Sequence, residues 1–300
     1  MRSVLITGTS RGIGLETALA FGRAGYAVHA TMRNPSQSPR LAQTAAEERL
    51  PIHVSAMDVD SDESVRDTIS AIQAKHGPID VLVNNAGLAI PGSVEELPIA
   101  QWKATMETNY FGALRCIQAV VTQMRSRQTG CIINVSSVGG RFACSPLIAY
   151  SASKWALEAL SEGVAGEVKS FGVRVAIVEP GMIDTQMARQ GMEMESPIYP
   201  QAERFARMFV AGLKFPVPPS IVAEKILEIA ESGTWQLRHP VGPTAVPFLE
   251  WRKSMSDEAW VDLNAGDDET WYARIQQDFG LDTRPEEPAN VEQGQTTTPA

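Results

Sequence analysis

Ser3-Val4-Leu5-Ile6-Thr7-Gly8-Thr9-Ser10-Arg11-Gly12-Ile13-Gly14 stands almost at the start of the chain. Ser3–Thr7 has the apolar, β-branched character of a short strand. A glycine turn follows, then an amphipathic helix to about residue 24. Strand, glycine-rich turn and helix in that order form the entry of a nucleotide-binding unit. Glycines serve two purposes there. They adopt turn dihedrals closed to other residues, and they let backbone N–H groups approach phosphate oxygens. The helix N-terminus then faces a pyrophosphate with its partial positive charge. The spacing is G-x-x-x-G-x-G, not the commoner G-x-G-x-x-G.

After a turn at Gly25, residues 27–31 read as a second strand. In dinucleotide-binding folds a carboxylate at the end of this strand takes the ribose 2′-hydroxyl of NAD. Here the end is Met32-Arg33, with no acid. Arg33, with Arg11 of the glycine turn, suits a 2′-phosphate. The residues therefore lean to NADP over NAD, unless both arginines are simply solvated.

Residues 34–51 are polar and alanine-rich, a helix with loose ends. Residues 52–59 form a third strand ending in Met57-Asp58-Val59-Asp60, where Asp58 is placed to meet an adenine amino group. Asp60 or Ser61 caps the helix Asp62–His76. Gly77-Pro78 breaks the chain. Residues 79–83 are nearly all apolar, as in a strand buried on both faces. They end in Asn84-Asn85-Ala86-Gly87. Small residues there let the backbone pass close to a ligand, and the amides can brace neighbouring strands; a plain turn is the other reading.

A long helix spans residues 101–127. Asn109 and Gly112 both weaken its interior. That cost is tolerable where the side chain works elsewhere, as at a water-binding kink. Residues 132–135 are a fifth strand, ending in Ser136-Ser137-Val138-Gly139-Gly140. Residues 173–178 are a sixth, ending in Glu179-Pro180-Gly181-Met182-Ile183-Asp184-Thr185. A seventh, short or irregular, falls within 235–247. Strands alternating with helices predict an α/β protein, a Rossmann-type doubly wound parallel sheet with helices on both faces. Right-handed crossovers bring the unusual strand-end residues to one edge, around the topological switch point.

Tyr150-Ser151-Ala152-Ser153-Lys154 lies in a helical stretch that runs to about residue 170. Four residues make about one turn, so Tyr150 and Lys154 share a face. An ammonium beside a phenol favours the phenolate and lowers its pKa from about 10. Such a tyrosine suits a general acid or base. Alone, the pair also fits an exposed Tyr and Lys on a surface helix.

The 300 residues carry a net charge of −9, which argues against nucleic-acid and anionic-membrane partners. No apolar run approaches membrane-spanning length. The first strand begins so near Met1 that no signal peptide is expected, and residence is read as cytoplasmic. Cys116, Cys131 and Cys144 lack CxxC spacing and read as free thiols. His29, His53, His76 and His239 are scattered, so no metal is expected.

From residue 2 to 185 the chain resembles the short-chain dehydrogenase/reductase family. The matching residues are Thr7-Gly8-x-x-x-Gly12-Ile13-Gly14, Asp58, Asn84-Asn85-Ala86-Gly87, Asn109, Ser137, Tyr150-x-x-x-Lys154 and Pro180-Gly181-x-x-x-Thr185. The resemblance implies that Tyr150 exchanges a proton with the substrate oxygen. It implies that Lys154 binds the nicotinamide ribose and lowers the tyrosine pKa. Ser137 would hydrogen-bond the substrate oxygen, and Asn109 would hold a water in a proton relay. Ser136 is the rival serine; the thirteen-residue gap to the tyrosine, common in the branch resembling 17β-hydroxysteroid and retinol dehydrogenases, selects Ser137. Implied cofactor contacts are Gly8, Ser10, Arg11, Gly12, Ile13, Gly14, Arg33, Asp58, Val59, Asn85, Ala86, Gly87, Tyr150, Lys154, Pro180, Gly181, Ile183 and Thr185.

Residues 1–247 are expected to form one dinucleotide-binding catalytic domain. A substrate lid at about 186–219 is rich in methionine (Met187, Met192, Met194, Met208) with Phe205 and Phe209. Flexible thioethers and rings suit an apolar lid, or a helical pair packed on the sheet. Ser220 is read as a helix cap. Residues 248–281 are a helical extension whose Trp251, Trp260 and Trp271 read as docking anchors, and 282–300 are expected to be disordered.

The expected activity is NADP-dependent interconversion of a secondary alcohol with a ketone or aldehyde, on an apolar, medium-to-large small molecule. Alternatives are a sugar or 3-oxoacyl dehydrogenase/reductase and a non-catalytic NADP(H)-sensing regulator. By resemblance a homodimer or homotetramer forms through the 101–127 and 150–170 helices, with Trp102, Cys116 and Trp155 on their outer faces.

Overall fold

A computed structural model describes residues 1–190 and 197–285. The elements are β1 (Ser3–Thr7), α1 (Gly12–Arg23), β2 (Ala27–Met32), α2 (Arg40–Glu47), β3 (Ile52–Ala56), α3 (Asp62–His76), β4 (Val81–Asn84), α4 (Ile99–Met106), α5 (Gly112–Arg127), β5 (Gly130–Val135), α6 (Ile148–Val168), β6 (Val173–Pro180), α7 (Gln186–Gln190), α8 (Pro200–Leu213), α9 (Ser220–Ser232), β7 (Arg238–Val241), α10 (Ala245–Lys253), α11 (Asp257–Ala265) and α12 (Asp268–Phe279). Seven parallel strands form one sheet in the order β3-β2-β1-β4-β5-β6-β7. The order reverses between β1 and β4, so the loops leaving these strands diverge and open a crevice.

The central strands have no solvated face. Every residue of β1 and β4 is buried, which is why both read as apolar runs rather than alternating ones. One face packs Leu15, Phe21 and Ile226 from α1 and α9; the other packs Ile69, Val120 and Met124 from α3 and α5. Each such side chain contributes about 1.5–3 kcal/mol on burial.

Several expected boundaries shift. The third strand stops at Ala56, and Met57–Val59 leaves the sheet toward the crevice. Residues 34–51 divide into a short 3₁₀ turn, Pro35–Gln37, and α2. Ser61 is the cap of α3, its hydroxyl accepting from the Ser64 N–H at 3.2 Å. Ser220 is not a cap; it opens α9 after Pro219, without a capping side chain. The long helix of 101–127 is interrupted by a π-helical turn, Glu107–Phe111, containing Asn109.

The extension packs rather than hangs. Phe248, Trp271, Tyr272 and Ile275 share a core with Phe142, Met182 and Phe205. Arg204 of α8, 3 % exposed, ties it down. Its guanidinium donates to Asp268 Oδ1 at 2.7 Å, the Gly266 carbonyl at 2.7 Å and the Asn264 carbonyl at 3.2 Å. Thr283 is also buried; of the expected disordered tail, 286–300 lie outside the described residues, as do lid residues Met192 and Met194.

Two further expectations change. His29, His53 and His76 are far apart in sequence but meet, with ring centroids 4.8–5.8 Å apart. Among the described residues, no group of His, Cys, Asp or Glu is arranged to hold a metal ion. Cys116 is fully buried rather than on an outer face, whereas Trp155 is exposed and Trp102 is half-buried, its indole N–H donating to the Leu97 carbonyl. No helix among the described residues is long and apolar enough to cross a membrane.

Candidate active site

The crevice at the carboxyl ends of β1 and β4 opens into a cleft of about 530 Å³. Its floor is the glycine turn. Gly8 has φ +71°, and a Cβ on it would fall 2.7 Å from Ala86 Cα. A Cβ on Gly14 would fall 2.3 Å from the Gly8 carbonyl oxygen. No side chain can enter at either place without moving backbone. The Thr7 hydroxyl accepts from the Asn85 and Ala86 N–H groups at 3.1 and 3.0 Å. Asn85 returns its side-chain amide to the carbonyls of Thr7 and Gly8 at 2.9 and 3.1 Å. Its side chain thus braces the turn, and Asn85 also lines the cleft. Arg11 precedes α1 without a capping side chain, so the first-turn N–H groups face the cleft unblocked.

Ser10, Arg11, Gly12, Ile13, Arg33, Asp58, Val59, Ala86 and Gly87 all border this cleft. Arg33 is exposed just beyond β2 and has no ion pair among the described residues. Asp58 Oδ1 accepts from the Asp60 N–H at 3.2 Å. Asp60 in turn accepts the Thr108 hydroxyl at 3.0 Å, and burial pushes its carboxyl up. On the opposite wall stand Pro180, Gly181, Ile183 and Thr185. Thr244, which carried no sequence signal, pins them: its hydroxyl accepts the Met182 N–H at 2.8 Å, and Gly181 has no room for a Cβ beside it.

Tyr150, Lys154 and Ser137 meet where this cleft adjoins a second, apolar cavity. Gly139 packs against both Ser137 Oγ and the Tyr150 ring, 3.5 and 3.6 Å from where its Cβ would lie. The buried Ser136 Oγ instead lies on the side of Gly140 and Glu158. Lys154 Nζ is 5.6 Å from the Tyr150 ring centroid and donates to the Val135 carbonyl at 2.8 Å. Burial pulls the lysine down to about 8, with Glu158 opposing. The expected lowering of the phenol pKa does not hold here. Burial pushes Tyr150 up, and its polar neighbour Ser137 only partly opposes.

Asn109 is buried between Leu88 and Ser153 of α6, its side chain fully engaged. Oδ1 accepts the Leu88 N–H at 2.8 Å; Nδ2 donates to the Leu88 carbonyl at 2.9 Å and to Ser153 Oγ at 2.8 Å. The π turn re-aims the side chain to make these bonds.

The second cavity begins at Ser137 and Tyr150 and ends among aromatic rings. Its walls include Phe142, Leu147, Phe205 and Phe209, and also Phe248, Trp251, Trp260 and Trp271. The extension's tryptophans are therefore anchors and cavity walls together. Sequence reading missed the second role. A tryptophan cluster in acidic helices marks a packed segment, but nothing local says what it packs against.

The parallel doubly wound sheet thus carries a glycine cradle with Tyr150, Lys154 and Ser137 at its crevice. The family model described as short chain dehydrogenase matches residues 2–196. The chain belongs to this family of oxidoreductases. It is similar to retinol dehydrogenase 8 of Bos taurus, 35% identical over 264 residues, covering 83% of this chain and 84% of that protein. Among solved structures, a short-chain dehydrogenase from Streptomyces avermitilis superimposes with TM-score 0.76 at 31% identity, covering 92% of this chain and 98% of that one. A gluconate 5-dehydrogenase from Burkholderia cenocepacia J2315, solved with NADP and tartrate, has TM-score 0.70 at 27% identity, covering 82% and 95%.

Proposed function

We propose that the chain is an NADP(H)-dependent oxidoreductase that interconverts a secondary alcohol and a ketone or aldehyde, with an apolar, medium-to-large substrate. One observation carries this reading: Tyr150 and Ser137 stand at the junction between a glycine-cradled cleft and an apolar cavity. The cradle fits a dinucleotide, because the first-turn N–H groups of α1 carry no side-chain cap and Gly12, Ile13 and Gly14 line the cleft. A bound nicotinamide would supply the hydride. The chain's own residues manage the proton and the carbonyl. Ser137 holds the substrate oxygen, and Tyr150 gives it a proton in reduction. A phenol kept protonated by burial is the form an acid needs at neutral pH. Lys154 would hold the ribose hydroxyls of the bound cofactor, and its ammonium would steady the developing phenolate. The Asn109 side chain is engaged with Leu88 and Ser153, so it is not itself free to hold a relay water.

Arg33 and Arg11 at the cleft rim support NADP over NAD, and the NADP-bound relative agrees with that reading. The aromatic cavity and the retinol dehydrogenase relative favour an apolar substrate over a sugar or 3-oxoacyl thioester. The same four residues, Asn109, Ser137, Tyr150 and Lys154, weigh against a non-catalytic NADP(H) sensor. We read residues 1–247 as the catalytic domain with a lid at about 186–219, and 248–281 as a substrate-closing extension. Exposed Phe111 and Trp155 suit a homodimer or homotetramer contact, and free thiols suit the cytoplasm.

The test is NADPH consumption over steroids, retinoids, aryl ketones, aldehydes and sugars, repeated with Tyr150→Phe. NADPH binding persists in the variant, while turnover falls by roughly a hundredfold to ten-thousandfold. Unchanged turnover sinks the mechanism; turnover of sugars alone sinks the substrate class.

A further inference from the structure

The apolar cavity has a polar end remote from Tyr150. Ser137 and Tyr150 border both this cavity and the glycine-cradled cleft, whereas Gln201, Arg204 and Asn264 border the cavity alone. They therefore lie on its side away from the reacting centre. Gln201 and Arg204 stand on α8, and Asn264 near the end of α11.

Their hydrogen bonds leave particular atoms unspent. Gln201 Nε2 and Arg204 Nη1 both donate to the Asn264 main-chain carbonyl, at 2.8 and 3.2 Å. Asn264 Nδ2 donates to the Trp260 carbonyl at 2.8 Å. A carbonyl only accepts, so these bonds fix which end of each amide is nitrogen. The amide oxygens, Gln201 Oε1 and Asn264 Oδ1, make no hydrogen bond among the described residues. Each amide nitrogen also keeps a second N–H. A staple between α8 and the extension explains the nitrogens and leaves the oxygens without a task.

Three kinds of ligand end can be compared here. The Arg204 guanidinium is already answered by Asp268, whose Oδ1 is 2.6 Å from Nη2, so it has no spare charge for a carboxylate. Two acceptor oxygens would repel that anion as well. An alkyl end would strip water from the amides and pair them with nothing. A hydroxyl donates one hydrogen and accepts another, which matches an amide oxygen beside a spare N–H.

We propose that Gln201 and Asn264 are specificity-determining residues that bind a hydroxyl at the end of the substrate remote from its reacting carbonyl. The substrate class is then a hydroxylated apolar ketone or aldehyde, its body lying against Phe205, Trp260 and Trp271 between two polar ends. A sugar does not fit, because hydroxyls along its body would face those rings unpaired. The proposal rests on the reading of this cavity as the substrate site.

The experiment titrates the full chain, saturated with NADP⁺, with methyl ketones of graded length that end in a methyl, a hydroxyl or a carboxylate. Oxidised cofactor and ketone together permit no turnover, so binding alone is read. Trp251, Trp260 and Trp271 wall the cavity, and their fluorescence reports its filling. At its best length the hydroxyl series binds roughly tenfold tighter than the methyl series, the scale of one net hydrogen bond, and the carboxylate series binds weakest. Asn264→Leu and Gln201→Met abolish this preference. Ser145→Ala, whose hydroxyl borders the same cavity without a partner, keeps it. The Asn264 main-chain carbonyl survives substitution of its side chain, so the tie to Arg204 remains, and thermal melting checks the fold of each variant.

Equal or tighter binding of the methyl or carboxylate series overturns the proposal. So does a preference that survives in both variants, or one lost only in Ser145→Ala. If neither variant folds, the ranking of the three series in the unsubstituted chain decides alone. Failure of every series to bind removes the substrate-cavity reading and this proposal with it. A hydroxyl preference without any turnover under NADPH leaves the proposal standing and removes the oxidoreductase reading.

Discussion

Phe142 meets Trp260 edge to face, ring centroids 5.6 Å apart and planes at 67°. One ring leaves the loop after β5; the other belongs to α11, in the extension. Such an arrangement matches the negative face of one ring to the positive edge of the other. Trp251 continues the contact, 5.0 Å from Trp260. This aromatic corner closes the cavity that starts at Tyr150.

Trp260→Ala therefore opens the far end of the cavity. The expected result is a KM for the best apolar substrate raised about tenfold, from lost aromatic burial of 1–2 kcal/mol. NADPH affinity, measured by fluorescence titration, stays unchanged, because Trp260 borders only the apolar cavity. A rise in both constants would mean that the extension supports the whole fold rather than the substrate wall.

Arg33 stands at the cleft rim with no ion pair among the described residues. Arg33→Ala is expected to weaken NADPH by roughly tenfold or more, the scale of a charge-assisted hydrogen bond, and NADH by little. Isothermal titration with both nucleotides reads the ratio. Equal loss for the two removes the assigned 2′-phosphate role.

His29 makes the fold acid-sensitive far from the site. It is buried, its Nε2 has no hydrogen-bond partner, and His53 and His76 crowd it. Burial, then His76 and His53, lower its pKa to about 4 from 6.5. The unfolded chain therefore binds a proton between these values that the folded chain refuses. Stability is full above about pH 6.5 and falls as pH drops toward 4, by up to about 3 kcal/mol. Thermal melts from pH 7.5 to 4.5 should show this slope, and His29→Gln should flatten it. An unchanged slope in the variant assigns the acid sensitivity elsewhere.

Much of this molecule is legible along the chain. The strand Ser3–Thr7, the helix Asp62–His76 and the parallel doubly wound class follow from local periodicity and punctuation. The meeting of Ser137, Tyr150 and the glycine turn also follows, because strand–helix alternation with right-handed crossovers sends every strand-end loop to one edge. Both depend on short-range rules: side-chain period, glycine dihedrals and the handedness of a crossover.

Other features exist only once the chain is folded. The engagement of Asn109 with Leu88, the pinning of Gly181 by Thr244 and the gathering of three histidines join residues with no shared local pattern. The direction of the Tyr150 shift belongs here too, since desolvation is set by atoms from distant segments. The sequence alone determined the fold class, the glycine cradle and the gathering of Ser137, Tyr150 and Lys154 at one sheet edge, because these rest on local geometry that few residue types can satisfy. Tertiary structure alone decided the aromatic end of the cavity and the burial of Lys154. Burial and electrostatics sum over neighbours in space, and position along the chain does not specify them.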